Sequence, residues 1–274
     1  MRSRGAAAKV GPGGGETMQR SPIVFVHGAF CGGWVFDDFA KVFAEAGHPV
    51  TAPDLPGHGA DAPRRAAAGL SMSDYARAIA ACADACGDRP VLIGHSMGGL
   101  VALLAAMRAR VSGVVLLAPS APWGVTGSTM EEAVSAVSLY AFGAYWTQAI
   151  EPDYPTFRRF SVDRFARADR HSLYGRMRPE SGRALFETLN WWLDPFMTTM
   201  VDPARIGAPI LAIAGERDVV HPPATIRETA RRLGAGFRAM PQMSHWLPGE
   251  PGADAVATAC IDWLDAVRSP LAAE

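Results

Sequence analysis

Ser96 stands between glycines in "GHSMGG" (residues 94–99), directly after the apolar run "PVLI" (90–93). A serine hydroxyl is a weak nucleophile until a base takes its proton. To present that hydroxyl, a chain needs a sharp turn from strand to helix, on which side chains two positions before and after the serine would strike neighbouring backbone. Gly94 and Gly98 remove those side chains, so the spacing Gly-x-Ser-x-Gly is a steric requirement of a nucleophile elbow. The same turn aims the Met97 N–H, at the start of the following helix, at the place where an oxyanion would form. The competing reading is plainer: a strand ends, and Ser96 caps the next helix.

A base and an acid decide between the two. Of seven histidines, His245 in "PQMSHW" follows the last strand, at the sheet edge where the carboxyl ends of strands gather. His27 and His58 sit in loops after the first two strands, and His95 adjoins the serine but points away from a tight turn. His48, His171 and His221 follow no strand end in the required order. The acid that would hold the imidazole tautomer is Asp218 in "AGERDVVHPP", with Glu216 as its rival and a helix N-cap as its alternative duty. The loop "HGAFCGGW" after the first strand offers the second oxyanion donor, the Ala29 N–H, or else that of Phe30. Gly28 lets that backbone approach closely. Cys31 lies in the same loop with no base assigned to it.

The elements that must carry these residues alternate. Continuous apolar runs at 22–26, 49–52, 90–94, 113–118, 209–214 and 236–240 predict six strands buried on both faces. Helical spacing appears between them at 35–47, from about Ser73 to Gly87, at 97–110, around 224–233 and at 254–267. This is the pattern of an α/β protein with a mostly parallel sheet. Residues 121–205 interrupt it. They read as helical, with a capping box "STME" at 128–131 and a helix over 180–193. They also hold 14 of the chain's 24 aromatic residues. Those rings either line a substrate site or form a small core of the insertion itself. Phe30, Trp146, Trp191, Trp192 and Trp246 are the candidates for substrate contact.

Composition narrows the partners. With 26 basic and 27 acidic residues, no overall field favours nucleic acid or an anionic membrane. No run of about 18 apolar residues exists to span a bilayer. "MRSRGAAAKVGPGGGETMQR" lacks the apolar stretch of a secretory signal and reads as a disordered leader over 1–20, so a cytoplasmic protein is expected. Cys31, Cys82, Cys86 and Cys260 form no metal-type pair and are expected as buried thiols. Arginines at 158–183 face only Asp163, Asp169 and Glu180, as a solvated helix face or, less often, a carboxylate-recognition site. Asp54 and His58 in "APDLPGHG" suggest a dyad, but turn chemistry favours a structural role.

Taken together, the order Ser96, Asp218, His245, the elbow, "FVHGAFCGGW" and "DLPGHG" resemble the α/β-hydrolase superfamily over residues 20–268. The resemblance is to small cap-bearing esterases and hydroxynitrile lyases. It implies a core over 21–120 and 206–274 and a helical cap over 121–205. The lyases carry a threonine at the Gly28 position and a lysine near the histidine, and neither is present here. Ser96 excludes the aspartate-nucleophile chemistry of epoxide and halide removal. The expected activity is hydrolysis of a small, largely apolar carboxylic ester, with water as acyl acceptor and no metal or organic cofactor. A lactonase, a carbon–carbon bond hydrolase or a cofactor-free perhydrolase or oxygenase would use the same fold. A small-molecule receptor on a hydrolase scaffold is the rival of another class.

Overall fold

The computed structural model describes residues 20–127 and 143–268. The leader expected over 1–20 lies outside them apart from Arg20, which is tied to Asp265 at 2.7 Å. The capping box at 128–131 also lies outside the described residues.

Each of the six apolar runs becomes a strand of one sheet. The strands are β1 (Ile23–Val26), β2 (Val50–Thr51), β3 (Val91–His95), β4 (Gly113–Leu117), β7 (Ile210–Gly215) and β8 (Gly236–Met240). The spatial order is β2-β1-β3-β4-β7-β8, every pairing parallel. Every residue of β1, β3 and β4 is buried, which is why their sequences are unbroken rather than alternating. The chain runs from β1 out to β2 and returns past β1 to β3. The order therefore reverses between β1 and β3, and their carboxyl ends open a crevice there.

Helices cover the sheet: α1 (Phe39–Glu45), α2 (Met72–Asp84), α3 (Met97–Ala106), and, late in the chain, Pro223–Leu233 and Ala253–Arg268. All ten residues of α3 are buried, between the sheet and α2. A helix that is apolar all round belongs inside. Ser71 and Asp74 form a capping box that starts α2, satisfying two backbone N–H groups reciprocally. The helix expected from residue 35 instead begins at Phe39. Gly33–Phe36 is a separate 3-10 turn that buries Phe36 against Phe25.

Between β4 and β7 the insertion is less regular than the helical pattern suggested. It contains the short antiparallel pair β5 (Ala149–Ile150) and β6 (Glu180–Ser181), then helices α4 (Arg167–Arg176) and α5 (Gly182–Leu189). The helix expected over 180–193 is thus split: Glu180 and Ser181 are strand, and Trp191–Leu193 is a 3-10 turn. Tyr145, Ile150 and Leu185 make a small separate core, against which Phe30 also packs.

Candidate active site

The turn at Ser96 has the geometry the glycines permit. Ser96 holds φ 54° and ψ −126°, a conformation L-residues adopt only when the surroundings enforce it. The enforcement is visible: its N–H donates to Leu117 O at 2.9 Å, and its carbonyl accepts from Gly99 N–H at 2.9 Å and Ser120 N–H at 3.0 Å. A Cβ at Gly94 would run into the Gly98 carbonyl, and one at Gly98 into the carbonyls of Val26 and His27.

Ser96, His245 and Asp218 come together in one hydrogen-bonded line. His245 Nε2 is 3.1 Å from Ser96 Oγ, and His245 Nδ1 is 2.9 Å from Asp218 Oδ2. A carboxylate only accepts, so Nδ1 carries the proton and Nε2 is left basic toward the hydroxyl. Asp218 Oδ1 accepts the Val220 and His221 N–H groups at 2.8 and 2.9 Å. Burial alone would raise the Asp218 carboxyl, but its pairing with His245 and these bonds hold it below the ordinary carboxylate range. Glu216 is exposed and takes no part in this line.

Two histidines the sequence set aside stand beside this line. His95 Nε2 is 2.9 Å from the His245 carbonyl, and burial lowers its pKa to about 3. A neutral ring there donates to the loop carbonyl and fixes the backbone that carries His245. The His221 ring centroid lies 5.2 Å from that of His245, and its Nε2 is 3.0 Å from Ser120 Oγ. Order along the chain concealed His221. Its place three residues after Asp218, in a turn closed by that carboxylate, was the available signal.

The loop after β1 lies against the serine: a Cβ at Gly28 would sit 3.0 Å from Ser96 Cβ. The Ala29 and Met97 N–H groups have no hydrogen-bond partner among the described residues. Phe30 N–H, the other candidate donor, is taken: it donates to Glu180 Oε2 at 3.1 Å. Glu180, expected on a solvated face, is fully buried. Its Oε2 also faces His58 Nε2 at 3.1 Å, and its Oε1 accepts from Tyr75 OH at 2.6 Å and Ser181 N–H at 2.7 Å. His58 Nδ1 faces the Pro56 carbonyl at 3.2 Å, so both ring nitrogens meet acceptors, an arrangement that favours the imidazolium. Burial alone would lower the His58 pKa, but the Glu180 charge and hydrogen bond, with the Pro56 carbonyl and the Asp54 charge, together raise it above the ordinary histidine value. Asp54, the rejected dyad partner, instead accepts from Gly33 N–H at 2.8 Å.

The aromatic candidates divide. Trp246 is 4% exposed and packs on His95, Trp34 and Phe157, beneath the His245 loop. Phe30 is half-buried between the main core and the insertion's core. Trp146 meets Tyr145 edge-on and Phe186 at a tilt, Trp191 meets Trp123 edge-on, and Trp192 is 55% exposed. Of the arginines, Arg164 reaches Glu250 at 3.1 Å, and Arg176 pairs with Asp37 and lies over Trp34. These tie the insertion to the core. Among the described residues no cluster of His, Cys, Asp or Glu is placed to hold a metal ion.

Sheet order, elbow and hydrogen-bonded line define a class, and the chain belongs to the alpha/beta hydrolase family, whose model matches residues 23–259. The pimeloyl-[acyl-carrier protein] methyl ester esterase of Neisseria meningitidis is 30% identical over 255 residues, 89% of this chain and 77% of that one. The probable esterase PIR7A of rice, Oryza sativa, is 40% identical over 116 residues, which span 40% of this chain and less than half, 44%, of the rice protein. Among solved structures, the Arabidopsis methylesterase MES16 superposes with a TM-score of 0.70 at 17% identity, covering 90% of this chain and 99% of that one, a likeness of fold.

Proposed function

We propose that the protein is a carboxylic ester hydrolase that works through an acyl-enzyme on Ser96. The observation that carries this is the continuous line from Asp218 through His245 to a serine hydroxyl held on a strained, half-buried turn. His245 Nε2 takes the Ser96 proton as Oγ attacks the ester carbonyl. The Ala29 and Met97 N–H groups receive the oxyanion. The imidazolium, steadied by Asp218, then protonates the leaving alkoxide, and the same nitrogen activates water to release the acid.

The insertion over 121–205 acts as the cap under which substrate enters, and its aromatic content supports a substrate with apolar bulk. An alkoxide leaves more readily than an amine, which favours an ester over an amide. Relatives named as esterases support the same choice. Among the described residues no helix is long and apolar enough to cross a membrane, and the four free cysteines fit a reducing compartment such as the cytoplasm.

The test is hydrolysis of p-nitrophenyl esters over a ladder of acyl lengths, native protein against Ser96→Ala. Turnover that vanishes in the variant, with an optimum at one chain length, is the expected result. A native protein inert toward every ester would sink the ester reading, in favour of a lactone, a carbon–carbon substrate or a ligand receptor.

A further inference from the structure

The loop after β1 is not held by the core alone. Phe30 sits at φ 63°, in the left-handed region that favours glycine, and both its backbone polar groups are bound by one short stretch of the insertion. Its N–H donates to Glu180 Oε2 at 3.1 Å, and its carbonyl accepts from Arg178 N–H at 2.8 Å. Glu180 is itself fixed from two further elements. His58 comes from the loop after β2 and Tyr75 from α2, and both are fully or almost fully buried. The carboxylate thus has four donors and no rotational freedom.

We infer that Glu180 is a positioning residue for the oxyanion site: it locks Phe30 in its strained conformation, so that the preceding N–H, that of Ala29, faces Ser96. This rests on the esterase reading above. The Phe30 N–H lies in the Ala29–Phe30 peptide plane, which meets the plane carrying the Ala29 N–H at the Ala29 Cα. Release of the Phe30 N–H lets the Phe30 φ relax toward negative values, which tilts the Ala29–Phe30 plane and, through the Ala29 Cα, re-aims the Ala29 N–H. The Ala29 donor would then move by a fraction of its hydrogen-bond length, which is the scale at which transition-state stabilisation is lost while ground-state binding survives. The insertion thereby contributes to the chemistry of the core without touching the reacting atoms.

Glu180→Gln tests this. An amide brings N–H groups to a place where four donors already point, so either the Phe30 side or the Ser181 side must open. Glu180→Asp keeps the charge beside His58 but withdraws the oxygen from Phe30 N–H, and it decides the question if the glutamine variant does not fold. Glu187→Gln is the control. Glu187 joins the same insertion to α2, through Met72 N–H at 2.8 Å, and is not bonded to the loop after β1.

Turnover of a p-nitrophenyl ester is measured per active site, with sites counted by end-point labelling with a fluorophosphonate. An alkyl boronic acid, whose tetrahedral adduct places an oxygen where the oxyanion forms, is titrated as an inhibitor. The expected result for both Glu180 variants is a fall in kcat per site of about tenfold or more, KM within about twofold, and boronic acid affinity reduced by the same factor as kcat. Glu187→Gln changes neither. The inference is overturned if kcat per site and boronic acid affinity in the Glu180 variants match those of Glu187→Gln. Turnover persisting in Ser96→Ala is a separate result, which removes the esterase reading itself.

Discussion

Among the buried carboxylates that join the insertion to the core, Glu180 and Glu250 are built to opposite rules. Glu180 belongs to the insertion and reaches into the core, where four donors from three core elements and its own strand saturate it. Glu250 belongs to the core and meets the insertion through Arg164. Its Oε1 accepts from Ser244 N–H at 2.7 Å, but its Oε2, 3.1 Å from Arg164 Nε, lacks hydrogen-bond geometry. Burial therefore dominates at Glu250 and raises its pKa to about 7, whereas at Glu180 the His58 charge and the hydrogen bonds overcome burial and lower it. Burial alone does not set the protonation state: Glu180 lies at least as deep as Glu250, yet its aligned donors and the His58 charge keep it ionised.

The largest break is Glu180→Leu. It leaves the His58 imidazolium, Tyr75 OH and Phe30 N–H facing hydrocarbon, and removal of one partner from a buried charged pair costs about 3–5 kcal/mol. Urea unfolding should show that loss. A loss below about 1 kcal/mol would mean that water or a neutral His58 satisfies the site without the carboxylate.

Next comes pH. Between pH 4.5, the ordinary glutamate value, and about 7, folded Glu250 keeps a proton that the unfolded chain has released. Stability from this group is therefore full below pH 4.5 and falls as pH rises to about 7, by roughly 3 kcal/mol at most. Glu180 has the reverse sign: its contribution is present above its ordinary value of 4.5 and is lost as pH falls through its lowered folded value. His58 adds stability below 6.5, lost as pH rises through its raised value. Glu250→Gln should flatten the decline between pH 5 and 8 and stabilise the protein at pH 8 by about 1–3 kcal/mol. Equal destabilisation at both pH values would show that Glu250 is ionised and well paired with Arg164.

These two joints also separate what a sequence displays from what it hides. The sheet was legible because a strand buried on both faces leaves a continuous apolar run, as "PIVFV" and "GVVLLA" do. The positions of Ser96, Asp218 and His245 were legible because a sharp turn demands glycines at fixed offsets and because parallel strands deliver their following loops to one edge. Glu180 was not. Its partners Phe30, His58 and Tyr75 lie 150, 122 and 105 residues away, and a glutamate ahead of "SGRALFETL" has the local look of a solvated helix start. Two-residue strands such as β5 and β6 carry no periodicity to detect. His221 was hidden by a rule of chain order that says nothing about which neighbours a tight turn collects.

Tyr75→Phe removes one donor to a charged oxygen that keeps its bond from Ser181 N–H. The expected cost is about 1.5–3 kcal/mol, smaller than for Glu180→Leu because no charge is stranded. Ser244→Ala is the mildest change at the other joint. Ser244 is 1% exposed, and its Oγ donates to Asp163 Oδ1 at 2.7 Å. Asp163 is exposed, so its carboxylate recovers a water when the hydroxyl is lost, and the Ser244 N–H remains on Glu250 Oε1. A cost of about 0.5–1 kcal/mol is expected. Combined with Glu250→Gln, the two effects should fail to add, because both substitutions act on one backbone segment beside His245. Strict additivity would mean that Asp163 and Arg164 grip the His245 loop independently, and that this joint is two separate contacts.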